Sequence, residues 1–138
     1  MSTETNKATI RRFHEEVMNQ GNLPLLQELA CVDYMEHNPF PGHGQGLTGL
    51  RQRVELLHRA FSGDYTIDDM IAEGDKVVVR WTGRVVQRGD FMGIPPTGRS
   101  ATYSGIDIYT LQSGLMAEHW DVVDVLSLLQ QLGVIPRS

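Results

Sequence analysis

Residues 105–133 read GIDIYTLQSGLMAEHWDVVDVLSLLQQLG, and the turn inside this stretch decides how the sheet presents its side chains. Ile106 and Ile108 alternate with Asp107 and Tyr109. Met116, Glu118, Trp120 and Val122 alternate with Ala117, His119, Asp121 and Val123. Period-2 alternation of this kind marks two strands joined across Leu111-Gln112-Ser113-Gly114-Leu115. A two-residue type I′ turn on Ser113-Gly114 needs positive φ at both residues, which Ser113 disfavours. A three-residue loop suits the residue types better, with Gln112 and Ser113 in a type I turn and Gly114 as the left-handed bulge residue. That loop pairs Leu111 with Leu115, sets Asp107 opposite His119, and sets Gly105 opposite Asp121.

One face of the hairpin then carries Tyr103, Gly105, Asp107, Tyr109, Ala117, His119, Asp121 and Val123. The other carries Ile106, Ile108, Met116, Trp120 and Val122, with Thr110 and Glu118 among them. Two acids, a histidine and two tyrosines on one side read as a pocket wall, with Gly105 leaving space opposite Asp121. The alternative is a polar face that meets water, as antiparallel sheets commonly allow. The aromatic content and the His–Asp cluster favour the pocket. The apolar face in turn needs cover, because monomers rarely expose large contiguous apolar patches. A second copy, sheet against sheet, is the simplest cover, so a homodimer through the outer sheet face is expected.

Working outward, residues 65–73, 76–87 and 99–111 read as the strands that precede 115–124, with a tight turn at Gly74-Asp75. RGDFMGIPPTG, residues 88–98, is a long loop. Toward the N-terminus Ile10, Phe13, Val17 and Met18 recur at helical spacing, which predicts a helix over about 5–20 that stops at Gly21. Asn22 can cap a short helix carrying Leu25, Leu26 and Leu29. YMEHNPFP, residues 34–41, is extended or loop because its prolines exclude helix. Leu47, Leu50, Val54, Leu57 and Phe61 give a third helix, and residues 125–132 a last one ending at Gly133. Helices first, then a run of antiparallel strands, then a closing helix define an α+β fold.

With 138 residues the chain fits one domain, residues 1–138, large enough to bury a core and a modest pocket. A formal charge of −5 with scattered Lys and Arg excludes a phosphate-backbone partner such as nucleic acid. Cys31 is the only cysteine, so no internal disulfide forms; it reads more naturally as a packed small hydrophobe than as a reactive thiol. The polar opening MSTETNKATIRR lacks the apolar core of a signal peptide, and no run reaches the ~20 apolar residues of a membrane span. A cytoplasmic protein without membrane contact is the expectation.

The stretch 105–133, together with FMGIPPTGR at 91–99 and YMEHNP at 34–39, resembles the SnoaL-like polyketide cyclases, also called predicted ester cyclases. The likeness runs along nearly the whole chain and is strongest in the last third. It implies the nuclear transport factor 2-like cone, a curved antiparallel sheet whose concave face and N-terminal helices enclose a cone-shaped hydrophobic pocket. It further implies intramolecular aldol closure of an aromatic polyketide ester, with no cofactor and no metal, on a small hydrophobic carbonyl-containing ligand. The family's acid/base aspartate falls on Asp121, within His119-Trp120-Asp121. A second pocket residue, His in one characterised relative, falls on Asp107.

The residues themselves support that chemistry. A carboxylate whose pKa is raised by an apolar surround can take a proton from carbon and return it to an alkoxide, so Asp121 is the catalytic candidate. His119 is its partner, placed to bond a nascent oxyanion or to tune Asp121. Asp107 nearby would raise one carboxyl pKa through like-charge repulsion. Tyr34, Trp81, Tyr103, Tyr109 and Met18 are candidates for lining the ligand site. His37 fits either the pocket mouth or a satisfied loop histidine, and His14 and His58 read as packed residues beside helical stripes. GQGLTG at 44–49 matches the dinucleotide-binding glycine pattern, but no parallel βαβ unit surrounds it. His119 and Asp121 share a face without a preformed third ligand, so no metal is expected. Two other functions stay open: a cone-fold epoxide hydrolase or isomerase, and a small lipophilic ligand-binding module without chemistry. An Asp–Arg–Asp pocket would favour the hydrolase.

Overall fold

Burial alternates without a break from Lys76 to Gln87: Val77, Val79, Trp81, Gly83, Val85 and Gln87 point inward, and Arg80 and Arg84 point to solvent. This is the period-2 pattern of a strand with one covered face. The computed structural model describes residues 2–136. Its strands are β1 (Ala30–Glu36), β2 (Phe61–Glu73), β3 (Lys76–Gln87), β4 (Ser100–Gln112) and β5 (Leu115–Val123), in the order β1-β5-β4-β3-β2. The helices are α1 (Thr3–Arg12), α2 (Leu26–Leu29), α3 (Gly46–Ala60) and α4 (Val125–Gln131). The expected α+β class holds, but the sheet is mixed rather than antiparallel, because β1 lies parallel to β5. Pro39 and Pro41 stop this strand without preventing it. They lie past its end, so YMEHNPFP is strand to Glu36 and loop beyond it, within the extended-or-loop reading of its prolines.

The first helix also differs from a plain α-helix. Beyond Arg12 it continues as a π-helix over Phe13–Asn19. Two clamps hold it across the covered face of the sheet. Thr9 Oγ1 donates to the Gly114 carbonyl at 2.7 Å, and the Asn19 amide exchanges two hydrogen bonds with the Tyr65 backbone at 2.8 and 2.9 Å. Ile10, Phe13, His14 and Val17 are buried beneath it.

The decisive hairpin does not close as its residue types suggest. Gln112 pairs with Leu115, and Ser113 and Gly114 both have positive φ, 52° and 80°, so the turn is the two-residue type I′. Alone, this would invert every face of β5 relative to β4. It does not, because the ladder slips between Thr110–Glu118 and Leu111–Met116, leaving Ala117 as an extra residue in β5. The bulge restores the parity that the turn removes. Asp107 therefore faces Asp121, Tyr109 faces His119 and Gly105 faces Val123, each two positions from the expected pairing. Leu111 and Met116 turn into the core, where Met116 is fully buried, so Met116 does not belong to the outer face. Gly105 makes room for a different group than expected. Its other neighbour is Trp81, and a Cβ on Gly105 would stand 2.5 Å from the indole.

Candidate active site

Between the covered face of the sheet, the π-helix and α3 lies a cavity of about 220 Å³, lined mostly by apolar and aromatic side chains. Tyr65, Trp81 and Tyr103 form one wall, packed edge to face, with the Tyr65 and Tyr103 hydroxyls 2.8 Å apart. Tyr34, Tyr109 and Met18 line it as well. Of the residues expected around a ligand, His37 is the exception. It stacks on Trp120 at 4.3 Å and meets Glu118 at 3.1 Å on the opposite side of the sheet. The reason is strand parity: Tyr34 and Glu36 of β1 point inward, so Met35 and His37 point out.

That parity also brings in residues the sequence reading missed. Glu36 is buried and contacts His119 Nδ1 at 2.7 and 2.8 Å. On its other side His119 Nε2 meets Asp107 Oδ1 at 3.0 Å. Burial works against a charge on His119, yet the hydrogen bonds to Asp107 and Glu36 prevail and raise its pKa to about 9. It is therefore an imidazolium at neutral pH, donating one N–H to each carboxylate. Burial pushes Glu36 upward too, but the bonds and charges of His119 and Arg53 outweigh it and leave its pKa lowered.

Arg53 was visible in the sequence but not assignable to the site. It lies at the end of the second turn of α3 and reaches across to three groups. Its Nη2 is 2.5 Å from Asp121 Oδ2, and its Nη1 lies 3.3 Å from Glu36 Oε1 and 3.0 Å from the Asn38 carbonyl. Its guanidinium sits 4.3 Å above the Phe40 ring. Asn38 in turn accepts the Asp121 backbone N–H through Oδ1 at 2.9 Å. Glu36, Asn38 and Phe40 all come from YMEHNPFP and recur at every second residue, which is the signal that could have found them.

Asp121 lines the cavity, 4.0 Å from His119 Nε2, too far for a hydrogen bond. Burial raises its carboxyl pKa; Arg53 and His119 oppose the shift, and Asp107 and Glu36 add to it. His119 is not free to bond a ligand oxyanion directly, since both of its N–H groups are taken. It stands in the cavity wall as a fixed positive charge. Asp107, His119 and Asp121 bring three donor atoms within 4.8 Å of one another, a spacing a metal ion could use. The donor set argues against one: His119 offers no lone pair while protonated, and Arg53 already neutralises Asp121.

An open α+β cone with an aromatic-lined cavity and a carboxyl of raised pKa on its wall defines a class of small-ligand pocket proteins. The family model of the SnoaL-like polyketide cyclases matches residues 8–132, and the chain belongs to that family. It is 28% identical over 140 residues to the aklanonic acid methyl ester cyclase DnrD of Streptomyces peucetius, covering 96% of this chain and 92% of that one. Among solved structures, TsrD from Streptomyces laurentii superposes with a TM-score of 0.90 at 31% identity, over 98% of this chain and 99% of that one. IdmH from Streptomyces antibioticus superposes with a TM-score of 0.79 at 30% identity, over 94% and 99% of the two chains.

Proposed function

We propose that the protein closes a ring on a carbonyl-rich ligand by aldol addition, with Asp121 as both base and acid. The observation that carries this reading is the Asp121 carboxyl, raised in pKa by burial and held at the cavity wall by Arg53 and Asn38. Asp121 removes a proton from a carbon between two carbonyls, and the electron pair passes into the enolate. That carbon then attacks a ketone carbon of the same molecule, forming the C–C bond, and the alkoxide takes the proton back from Asp121. The conjugated carbonyls spread the enolate charge, and Arg53 and the His119 imidazolium stand close enough to favour it.

Asp121→Asn tests the reading, with aklanonic acid methyl ester, the compound in the relative's name, as substrate. Turnover should fall about 10²–10⁴-fold while binding survives, since general acid–base catalysis contributes on that order. Binding without turnover in the wild-type protein would instead favour the ligand-binding module.

A second reading, epoxide hydrolysis, is favoured by one observation: Arg53 bridges Asp121 and Glu36 in an acid–Arg–acid arrangement. Oxygen from labelled water in the product of a cyclic epoxide would support it, whereas an aldol product retains all its own oxygens.

We further propose a homodimer through the outer sheet face. Ile106, Ile108 and Val122 remain exposed there, Val122 by 79%, beside the partly covered Trp120. A reducing, cytoplasmic setting fits the lone Cys31, whose thiol pKa burial and the charge of Asp33 both raise. No helix among the described residues is long and apolar enough to cross a membrane.

A further inference from the structure

His14 is 4% exposed, and neither of its ring nitrogens has a hydrogen-bond partner among the described residues. A buried imidazole left in this state costs free energy unless something arrives to satisfy it. It lines the same cavity as Asp121, and its Nε2 stands 3.7 Å from Asp107 Oδ2, close but beyond bonding distance. Asp107 is half used in the same sense: Oδ1 receives the His119 N–H, while Oδ2 receives no hydrogen bond from the described residues.

Burial lowers the pKa of His14; the Asp107 charge opposes this and the His119 charge adds to it, so the ring is neutral. A neutral imidazole with its proton on Nε2 donates one hydrogen bond there, and the Asp107 carboxylate accepts one. An oxygen about 2.8 Å from both atoms completes both, provided it carries a proton of its own to give to Asp107. A hydroxyl meets that condition, whereas a ketone or ether oxygen does not.

We propose that His14 and Asp107 form a two-sided clamp for a hydroxyl of the ligand, a phenol or enol, and so select hydroxylated ligands over purely apolar ones. The winding of the helix agrees with this role, since His14 falls in the π-helical stretch and such turns gather at functional sites. Asp107 and Asp121 belong to the cluster whose donor atoms lie within 4.8 Å of one another. A clamped hydroxyl therefore fixes the ring that carries it beside the Asp121 carboxyl. The inference rests on the reading of this cavity as the ligand site, but not on any particular reaction there.

The test is the affinity ratio of 2-naphthol to 2-methylnaphthalene, two probes of nearly equal shape that differ in a hydroxyl. Binding is followed by fluorescence for the wild type, His14→Phe and His14→Gln, with thermal melting to verify that each variant is folded. The ratio should fall about tenfold in His14→Phe, the range of a hydrogen bond to a charged group, with 2-methylnaphthalene affinity nearly kept. His14→Gln, which restores a donor, should recover most of it. An unchanged ratio in His14→Phe overturns the clamp alone. A wild-type protein that binds neither probe overturns the cavity as a ligand site, and the clamp with it.

Discussion

Raising the pH from 6 to 9 should unload the buried charge cluster, and the size of the effect follows from His119. Its pKa stands at about 9 in the folded protein against an ordinary 6.5. A group whose folded pKa is raised contributes stability that is fully present below the unfolded value and is lost as pH climbs through the folded one. Each unit of difference is worth about 1.4 kcal/mol, so the window from 6.5 to 9 should remove roughly 3 kcal/mol of unfolding free energy. Urea unfolding at half-unit steps of pH measures this directly, and the imidazole proton shifts of His119 report its titration independently. The series should stop near pH 9, because the Cys31 thiol and the buried tyrosines, all raised in pKa, add losses of their own above it. Glu36→Gln supplies the control. It keeps an acceptor for Nδ1 but removes one of the two stabilising charges, so the loss should begin at lower pH and be smaller. A wild-type curve flat between 6.5 and 9, or an equally steep fall in Glu36→Gln, would refute the imidazolium between two carboxylates.

Two further outcomes follow from the sheet. Gly105→Ala pushes a methyl against the Trp81 indole and should cost about 1–3 kcal/mol in urea unfolding, the range of overpacked cores; a neutral result would mean that the indole has room to move. Trp120→Glu should shift the protein from dimer to monomer, or render it insoluble, while Asp121 keeps its chemistry. Light scattering decides it, and a wild-type monomer at micromolar concentration removes the dimer.

How much of this was legible in the sequence depended on range. The helices and the last four strands follow from local periodicity, and their ends came out within a few residues for that reason. The hairpin shows the limit. The residue types argue correctly that Ser113 resists positive φ, at a cost of about 1 kcal/mol or more. That cost is borne because the whole β4–β5 ladder, and the Thr9 bond to the Gly114 carbonyl, gain from the register it sets. Faces came out right for most of β5 only because the wrong turn and the unforeseen Ala117 bulge cancel, and Met116, on the turn side of the bulge, shows the error uncancelled. Strand β1 was hidden for a different reason. Its pairing to β5 spans more than eighty residues of sequence, and nothing near residues 30–36 announces a parallel partner. With it were lost Glu36, Asn38 and the distinction between Tyr34, which faces the cavity, and His37, which does not. Arg53 could not be found by any local pattern, since only the packing of α3 against β1 brings it to Asp121.

The charges that β1 and α3 deliver set Asp121 apart from the other two acids of the cluster, which supports the proposal that it is the one to move protons. Glu36, Asp107 and Asp121 face two cations, His119 and Arg53, so the cluster holds one negative charge more than it can pair. Glu36 is bonded by His119 through both oxygens and touched by Arg53, and its pKa falls; it keeps its charge. Asp107 spends one oxygen on His119 and turns the other toward His14. Asp121 has a single close cation and His119 only at 4.0 Å, while burial and the two neighbouring acids push its pKa up. Of the two carboxyls whose pKa is displaced, Asp121 is the one raised, and it stands on the wall of an apolar cavity. A raised pKa makes this carboxylate a stronger base than Glu36, whose pKa is lowered, and keeps a larger fraction of it protonated at a given pH than a carboxyl in water; Glu36 of β1, the strand least visible in the sequence, contributes to the difference.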